Sequence, residues 1–308
     1  MFQTPILFLI FNRPNTTKRV FESIRIVKPS KLYIAADGAR KDKLGEDLLC
    51  QETRNIIELI DWDCEIKTLF RPENLGCKIA VSSAIDWFFE NEEKGIILED
   101  DCLPHPSFFG YCETLLNYYK DDLRIGHIGG DNFQKGIKRG EGSYYFSQYN
   151  FIWGWASWRR SWKNYDVKMN SYPDFKANKG LEKIFKRKQE HTFWYQGFDK
   201  MFAGLVNSWD FQWTFANWNN NMLSILPNVN LISNIGFGEG STHTSSSGNN
   251  DIENLPIFEI EKNLIHPKEL KVNQEADEFA FDLLYKKEHY FVLVLRQIKK
   301  KIGLFFVK

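Results

Sequence analysis

Four short apolar runs, "ILFLIF", "KLYIAA", "EIKTLF" and "GIILE", recur along the first hundred residues, and each gap between them carries apolar residues at helical spacing. The stripes are Val20, Ile24 and Val27, then Leu49, Thr53, Ile56, Ile57 and Ile60, then Val81, Ala84, Ile85 and Phe88. Short β-rich runs alternating with period-3.6 segments read as strand–helix–strand units, so residues 5–101 predict βαβαβαβ. A strand that is apolar at nearly every position needs cover on both of its faces. The expected class is therefore α/β, a Rossmann-like, mostly parallel sheet with helices on both sides.

In such sheets ligands bind beyond the carboxyl ends of the strands. Those ends here are "FNRP", "ADGAR", "FRPENLGCK" and "EDD", all polar and charged. The last places Glu99, Asp100 and Asp101 at the end of an apolar strand, where mutual repulsion and partial burial demand a cation, donors or full exposure. Neither a G-x-G-x-x-G after the first strand nor a G-x-x-x-x-G-K-[ST] occurs, so phosphate bound here would need its charge met another way. Mn2+ or Mg2+ held by carboxylate is the natural device, because both prefer oxygen ligands and share them with phosphates. If the strand stays extended, Glu99 and Asp101 face one way and Asp100 the other. Asp101, nearest the edge, is then the metal ligand, Asp100 an acceptor for ribose hydroxyls, and Glu99 a partner for backbone or a cation.

Forty basic and forty acidic side chains leave no overall field to attract nucleic acid. Five cysteines without a C-x-x-C pair disfavour both a disulfide framework and a thiolate zinc site. The first apolar run lacks a basic flank and a cleavage site, which with the thiols points to the cytoplasm. From residue 127 the texture changes, and eight of the ten tryptophans fall between Trp153 and Trp218. Short aromatic strands are expected there. The reading is one domain in two halves, residues 1–126 for the nucleotide and 127–250 for acceptor and catalysis, followed by a helical extension over 251–308. "GFGEGSTHTSSSGNN" reads as a mobile loop. The basic, apolar end of the chain, with Arg296 and Lys299 to Lys301, suits either the inner face of an anionic membrane or a docked helix.

The order "FNRP", "AADG", "EDD" before "SFF", "GGDNF", "WGWASW", "SWDFQW" and "FGEGSTH" resembles GT-A type glycosyltransferases, in particular nucleotide-sugar enzymes related to N-acetylglucosaminyltransferase I. The resemblance runs from about Pro5 to His243. It implies a GT-A fold and a metal-dependent, inverting transfer of a hexose or N-acetylhexosamine from a nucleotide-diphosphate sugar, UDP above all, to a hydroxyl of a glycan or lipid-linked glycan in surface polysaccharide or lipopolysaccharide assembly. It implies metal coordination by Asp101, nucleotide contacts by Glu99 and Asp100, a base contact by Asp37, and a pocket lined by Phe11, Asn12 and Arg13. Arg71 and Lys78 would lie near the diphosphate, Lys78 on charge grounds more than by motif. His243 would be a late metal ligand or diphosphate contact.

Asp210 in "SWDFQW" resembles the general base, which takes the acceptor proton as the hydroxyl attacks. Phe211 follows where a second acid can occur; should the register slip, Asp199 is the alternative, and Asp210 also suits a helix start. Trp153, Trp155, Trp158 and Trp209 offer flat faces for a sugar, Trp153 and Trp155 on one side of a strand, although core packing is open to each. His105, between two prolines, reads as structural. Two other functions stay open: a sugar-1-phosphate nucleotidyltransferase, against which "FNRPNTTKR" has no glycine, and a non-catalytic carbohydrate-binding protein.

Overall fold

The structure, a computed structural model, describes residues 2–236, 252 and 254–285. The four apolar runs form β1 (Ile6–Ile10), β2 (Lys31–Ala36), β3 (Glu65–Phe70) and β4 (Lys94–Glu99). They pair in parallel in the order β3-β2-β1-β4, with Ile6 opposite both Leu32 and Ile96. The connecting helices are α1 (Pro14–Val27), α2 (Glu46–Arg54) and α3 (Gly76–Asn91), and α2 continues into a 3-10 turn over Asn55–Leu59.

Every residue of β1 is buried, for a visible reason. Ile6, Phe8 and Ile10 join the layer that holds Val20, Phe21 and Ile24 of α1, whereas Leu7 and Leu9 join the layer with Ala84, Ile85 and Phe88 of α3. Period-2 alternation thus feeds two cores at once.

After β5 (Cys102–Pro104) and α4 (Ser107–Tyr118) the chain extends the same sheet with β6 (Ile125–Gly129), β7 (Tyr144–Ser147), β8 (Trp155–Trp158) and β9 (Leu223–Pro227). The full order is β3-β2-β1-β4-β8-β6-β9-β7, in which β8 lies antiparallel between β4 and β6. β10 (Ile232–Asn234) pairs with β5 as a separate ribbon behind the acidic turn. Residue 126 lies inside β6, and the sheet runs unbroken through both halves.

Short aromatic strands account for only part of the second half. Lys188–Phe202 and Asp210–Asn219 are helices, and Trp194, Phe198 and Met201, at i, i+4 and i+7, form the buried stripe of the first. They enclose a third core with Tyr149, Phe215 and Trp218. The helix Gln274–Tyr285 closes it through Ala276, Ala280 and Phe281. Among the described residues no helix is long and apolar enough to cross a membrane. The loop expected over Gly236–Asn250 past its first residue, with His243, and the basic end of the chain lie outside the described residues.

Candidate functional site

Two cavities open on the carboxyl side of the parallel strands. The first, about 280 Å³, is lined by Phe11, Asn12, Arg13, Asp37, Arg71, Glu99 and Asp100, together with Arg40, Asn74, Cys77 and Asn207. Seven residues expected from the strand ends thus meet at one place, because four parallel strands deliver their ends to one edge. Lys78 does not line it; its backbone N–H donates to Asn207 Oδ1 at 3.1 Å.

The acidic triplet does not alternate as an extended strand would. β4 ends at Glu99, and the chain turns at Asp100 and Asp101 before β5. Consequently one guanidinium reaches both aspartates: Arg13 Nη2 bonds Asp100 Oδ1, and Nη1 lies 2.9 Å from Asp101 Oδ2. Asp100 Oδ2 also accepts the Phe11 N–H at 3.1 Å. Burial would weaken the Arg13 cation, but Asp100 and Asp101 more than offset this and hold its pKa above the usual arginine value. Burial pushes the Asp100 carboxyl up to about 6, against the opposing pull of Arg13. Burial, helped by the charges of Asp101 and Asp100, pushes Glu99 up to about 8. A Cβ on Gly236 would fall 2.2 Å from Asp101 Oδ2 and 2.7 Å from Arg13 Nη1, so a bare backbone caps the ion pair.

A resident divalent ion needs one or two carboxylates with oxygens left free, the rest of its shell coming from water or substrate phosphate. Here Arg13 takes one oxygen of each aspartate, the Phe11 amide takes the second of Asp100, and the Cys102 thiol donates to Asp101 Oδ1 at 3.4 Å. Among the described residues no group of three or more His, Cys, Asp or Glu side chains is placed to hold a metal. As they stand, the described residues do not fit a resident Mn2+ or Mg2+; the cation between the acids is Arg13.

Asp37, the expected contact with a base, lines the first cavity and also organises its wall. Its carboxylate accepts the N–H groups of Gly38, Leu75 and Gly76 at about 3.0 Å and Asn74 Nδ2 at 3.0 Å, so it fastens the turn before α3 to the end of β2. Gly76 adopts φ +75°, which a side chain would strain. Arg54 ties the same strand ends together through the carbonyls of Asp37 and Arg71. Arg71 donates to Ser83 Oγ at 2.7 Å and has no carboxylate partner among the described residues. Arg40 stacks 5.6 Å over the Phe11 ring and pairs with Glu46, which also accepts from Asn12 Nδ2 at 2.9 Å. The "ADGAR" strand end contained Arg40, but only the fold shows its cation at the pocket.

The second cavity, about 260 Å³, belongs to the aromatic half and is walled by Tyr149, Phe151, Trp153, Trp194, Phe211 and Tyr285, with Asp131, Asn150 and Asp210 among its polar residues. Asp210 is the first residue of the helix Asp210–Asn219, and Ser208 Oγ donates to its Oδ1. It faces both cavities electrostatically: its charge contributes to the raised pKa of Glu99 and, behind burial and Glu99, to that of Cys77, pushed up to about 12. Asp199 lines neither cavity and is taken by Lys176 at 2.6 Å and Tyr172 Oη at 2.7 Å.

One or two of Trp153, Trp155 and Trp158, together with Trp209, are expected at an acceptor pocket; of these four, Trp153 alone lines the cavity. Trp155 is fully buried and stacks on Trp209 at 5.9 Å, and Trp158 donates to the Leu116 carbonyl. Trp153 and Trp155 do not share a strand face because Gly154 turns the chain at φ +73°, and a Cβ there would meet Ile232 Cδ1 at 2.6 Å. Trp194 from the helix Lys188–Phe202 supplies the other indole wall; no motif marked it. His105 holds Ser107 Oγ at 2.8 Å through Nδ1 and belongs to the start of α4.

No family model matches the chain, and no curated protein matches it in sequence. Among solved structures it is similar to S. aureus TarS 1-349, at TM-score 0.37 and 10% identity over 53% of this chain and 49% of that one. The matched region thus spans about half of TarS 1-349. It is also similar to HddC from Yersinia pseudotuberculosis, at TM-score 0.32 and 11% identity over 51% and 77% of the two chains, and to the inositol-1-phosphate CTP transferase from T. maritima, at 0.31 and 12% over 53% and 74%.

Proposed function

We propose that the chain transfers a sugar from a nucleotide-diphosphate donor to a hydroxyl acceptor, with inversion at the anomeric carbon. The observation that carries this reading is the position of Asp210, in the wall of the aromatic cavity yet close enough to the charged cavity for its field to reach Glu99 and Cys77. A nucleotide in the first cavity would have its ribose near Asp100 and its diphosphate near Arg71 and Arg13. The acceptor would lie in the second. Asp210 would take the proton of the acceptor hydroxyl as its oxygen bonds to the anomeric carbon and the bond to the diphosphate oxygen breaks. One displacement from the opposite face inverts the centre. No step needs Lys78 or Asp199.

Because Arg13 holds one oxygen of both Asp100 and Asp101, the scheme leaves the leaving group's charge to the arginines. The test is a thermal-shift screen of UDP-, GDP-, CDP- and dTDP-sugars, each with Mn2+ and with EDTA, followed by NMR of any product. A donor that stabilises the protein in EDTA and yields an inverted glycoside supports the reading, since a ligand at about 100 times its Kd adds about 2.7 kcal/mol. Stabilisation that requires Mn2+ would overturn the role given to Arg13. Pyrophosphate release from a nucleoside triphosphate and a sugar 1-phosphate, or glycan binding without any nucleotide binding, would overturn the transferase.

A further inference from the structure

We propose that the second cavity is a subsite for a single pyranose ring, with Asp131 and Asn150 as the residues that read its hydroxyls. This rests on the sugar-transfer reading and adds to it which groups select the ring. Asp131 is 1% exposed and follows β6, while Asn150 lies between β7 and β8, so the fold brings them together from separate loops. Asp131 Oδ2 accepts the Trp153 N–H at 3.1 Å, but its Oδ1 has no partner, and neither the oxygen nor the nitrogen of the Asn150 amide has one. Buried polar atoms are nearly always paired, yet these three, unpaired, belong to two residues of one cavity wall.

The ligand's chemistry follows from the rest of the lining. Among the described residues no Lys, Arg or His lines this cavity, whereas Arg13, Arg40 and Arg71 line the first. Burial raises the Asp131 carboxyl well above the usual carboxylate range and so favours its protonated form, beside the neutral amide of Asn150. Hydroxyls both donate and accept, and satisfy either. Phe151, Trp153 and Trp194 supply flat apolar surface for the C–H face of a sugar.

Two sugars could supply that ring, the donor's or the acceptor's, and the experiment separates them. Saturation-transfer NMR and tryptophan fluorescence would follow UDP, UDP-glucose, UDP-N-acetylglucosamine and a panel of methyl glycosides on the full chain, its Asn150→Ala and Asp131→Asn variants, and the isosteric Asn150→Asp should the alanine variant not fold. With an acceptor ring, methyl glycosides bind the wild type and weaken at least about tenfold in the variants, about 1.4 kcal/mol, while UDP affinity holds. With a donor ring, the variants instead lose the preference for UDP-sugar over UDP. Glycoside binding and UDP-sugar preference that are both absent in the wild type, or both unchanged in the variants, would overturn the proposal. Should glycosides bind through Asn150 while no nucleotide binds, the subsite stands and the donor reading falls.

Discussion

Replacing Arg13 by methionine keeps most of the aliphatic stem and removes the only cation that contacts Asp100 and Asp101 among the described residues. Asp100 is the group that suffers, because its side chain is 4% exposed and would retain only the Phe11 N–H. Stripping the partner from a buried charge costs about 3–5 kcal/mol. At roughly 2 °C per kcal/mol for a chain of this size, Tm should fall by about 6–10 °C. Adding Asp100→Asn removes the stranded charge, and the double variant should recover more than half of the loss, the signature of two groups that act on each other. The deficit should also depend on pH. Burial pushes Asp100 up to about 6 with Arg13 opposing it, and without Arg13 it rises further. A carboxyl raised in the folded state holds a proton that the unfolded chain has released, so stability is favoured below the folded pKa and is lost as pH rises through it. Urea unfolding followed by circular dichroism, at about pH 5.5 and about pH 8, should show the larger deficit at the higher pH. An Arg13→Met protein within about 1 kcal/mol of wild type at both, or a double variant no better than the single, would refute the clamp.

Two further outcomes are expected. Asp210→Asn should lower kcat by about 10²–10⁴ while UDP binding, read by calorimetry, stays unchanged, and a loss within about tenfold would remove Asp210 from the role of base. His127 is fully buried, accepts the Trp213 indole N–H at Nδ1 and therefore donates from Nε2 to the Phe151 carbonyl at 2.8 Å, and burial drives its pKa down to about 3. Because the unfolded chain takes this proton near 6.5, the His127 contribution is full above that pH and drains towards about pH 3, by about 1.4 kcal/mol per unit; His127→Gln should flatten the acid limb of a chemical-denaturation series, and an unchanged slope would refute the assignment.

The first half of the fold was legible because its signals are local. "KLYIAA" and "EIKTLF" coincide with β2 and β3, and the topology of parallel strands then gathers Phe11, Arg13, Asp37 and Glu99 at one edge without any knowledge of distant contacts. What stayed hidden depends on depth and on turns. Asp100 and Asp101 share Arg13 because β4 stops at Glu99, which no run of apolar residues announces. Trp153 and Trp155 look equivalent in "WGWASW", yet one lines a cavity and the other fills the core, a difference made by the backbone of Gly154. Asp131 stands in "GGDNF", a run that names no role for it, and Asn150 stands in no motif; their significance lies in unpaired atoms that only a packed interior defines.

The insertion of β8 between β4 and β6 bears on the order of synthesis. β4 pairs on one side with β1, complete long before it, and on the other with β8, so that Lys94 waits for Trp158. While the ribosome adds the intervening residues, the nascent chain presents an apolar strand with one open edge, the kind of surface that recruits other strands. Once Trp155–Trp158 has emerged, that edge is covered, and the halves on either side of it become a single cooperative structure.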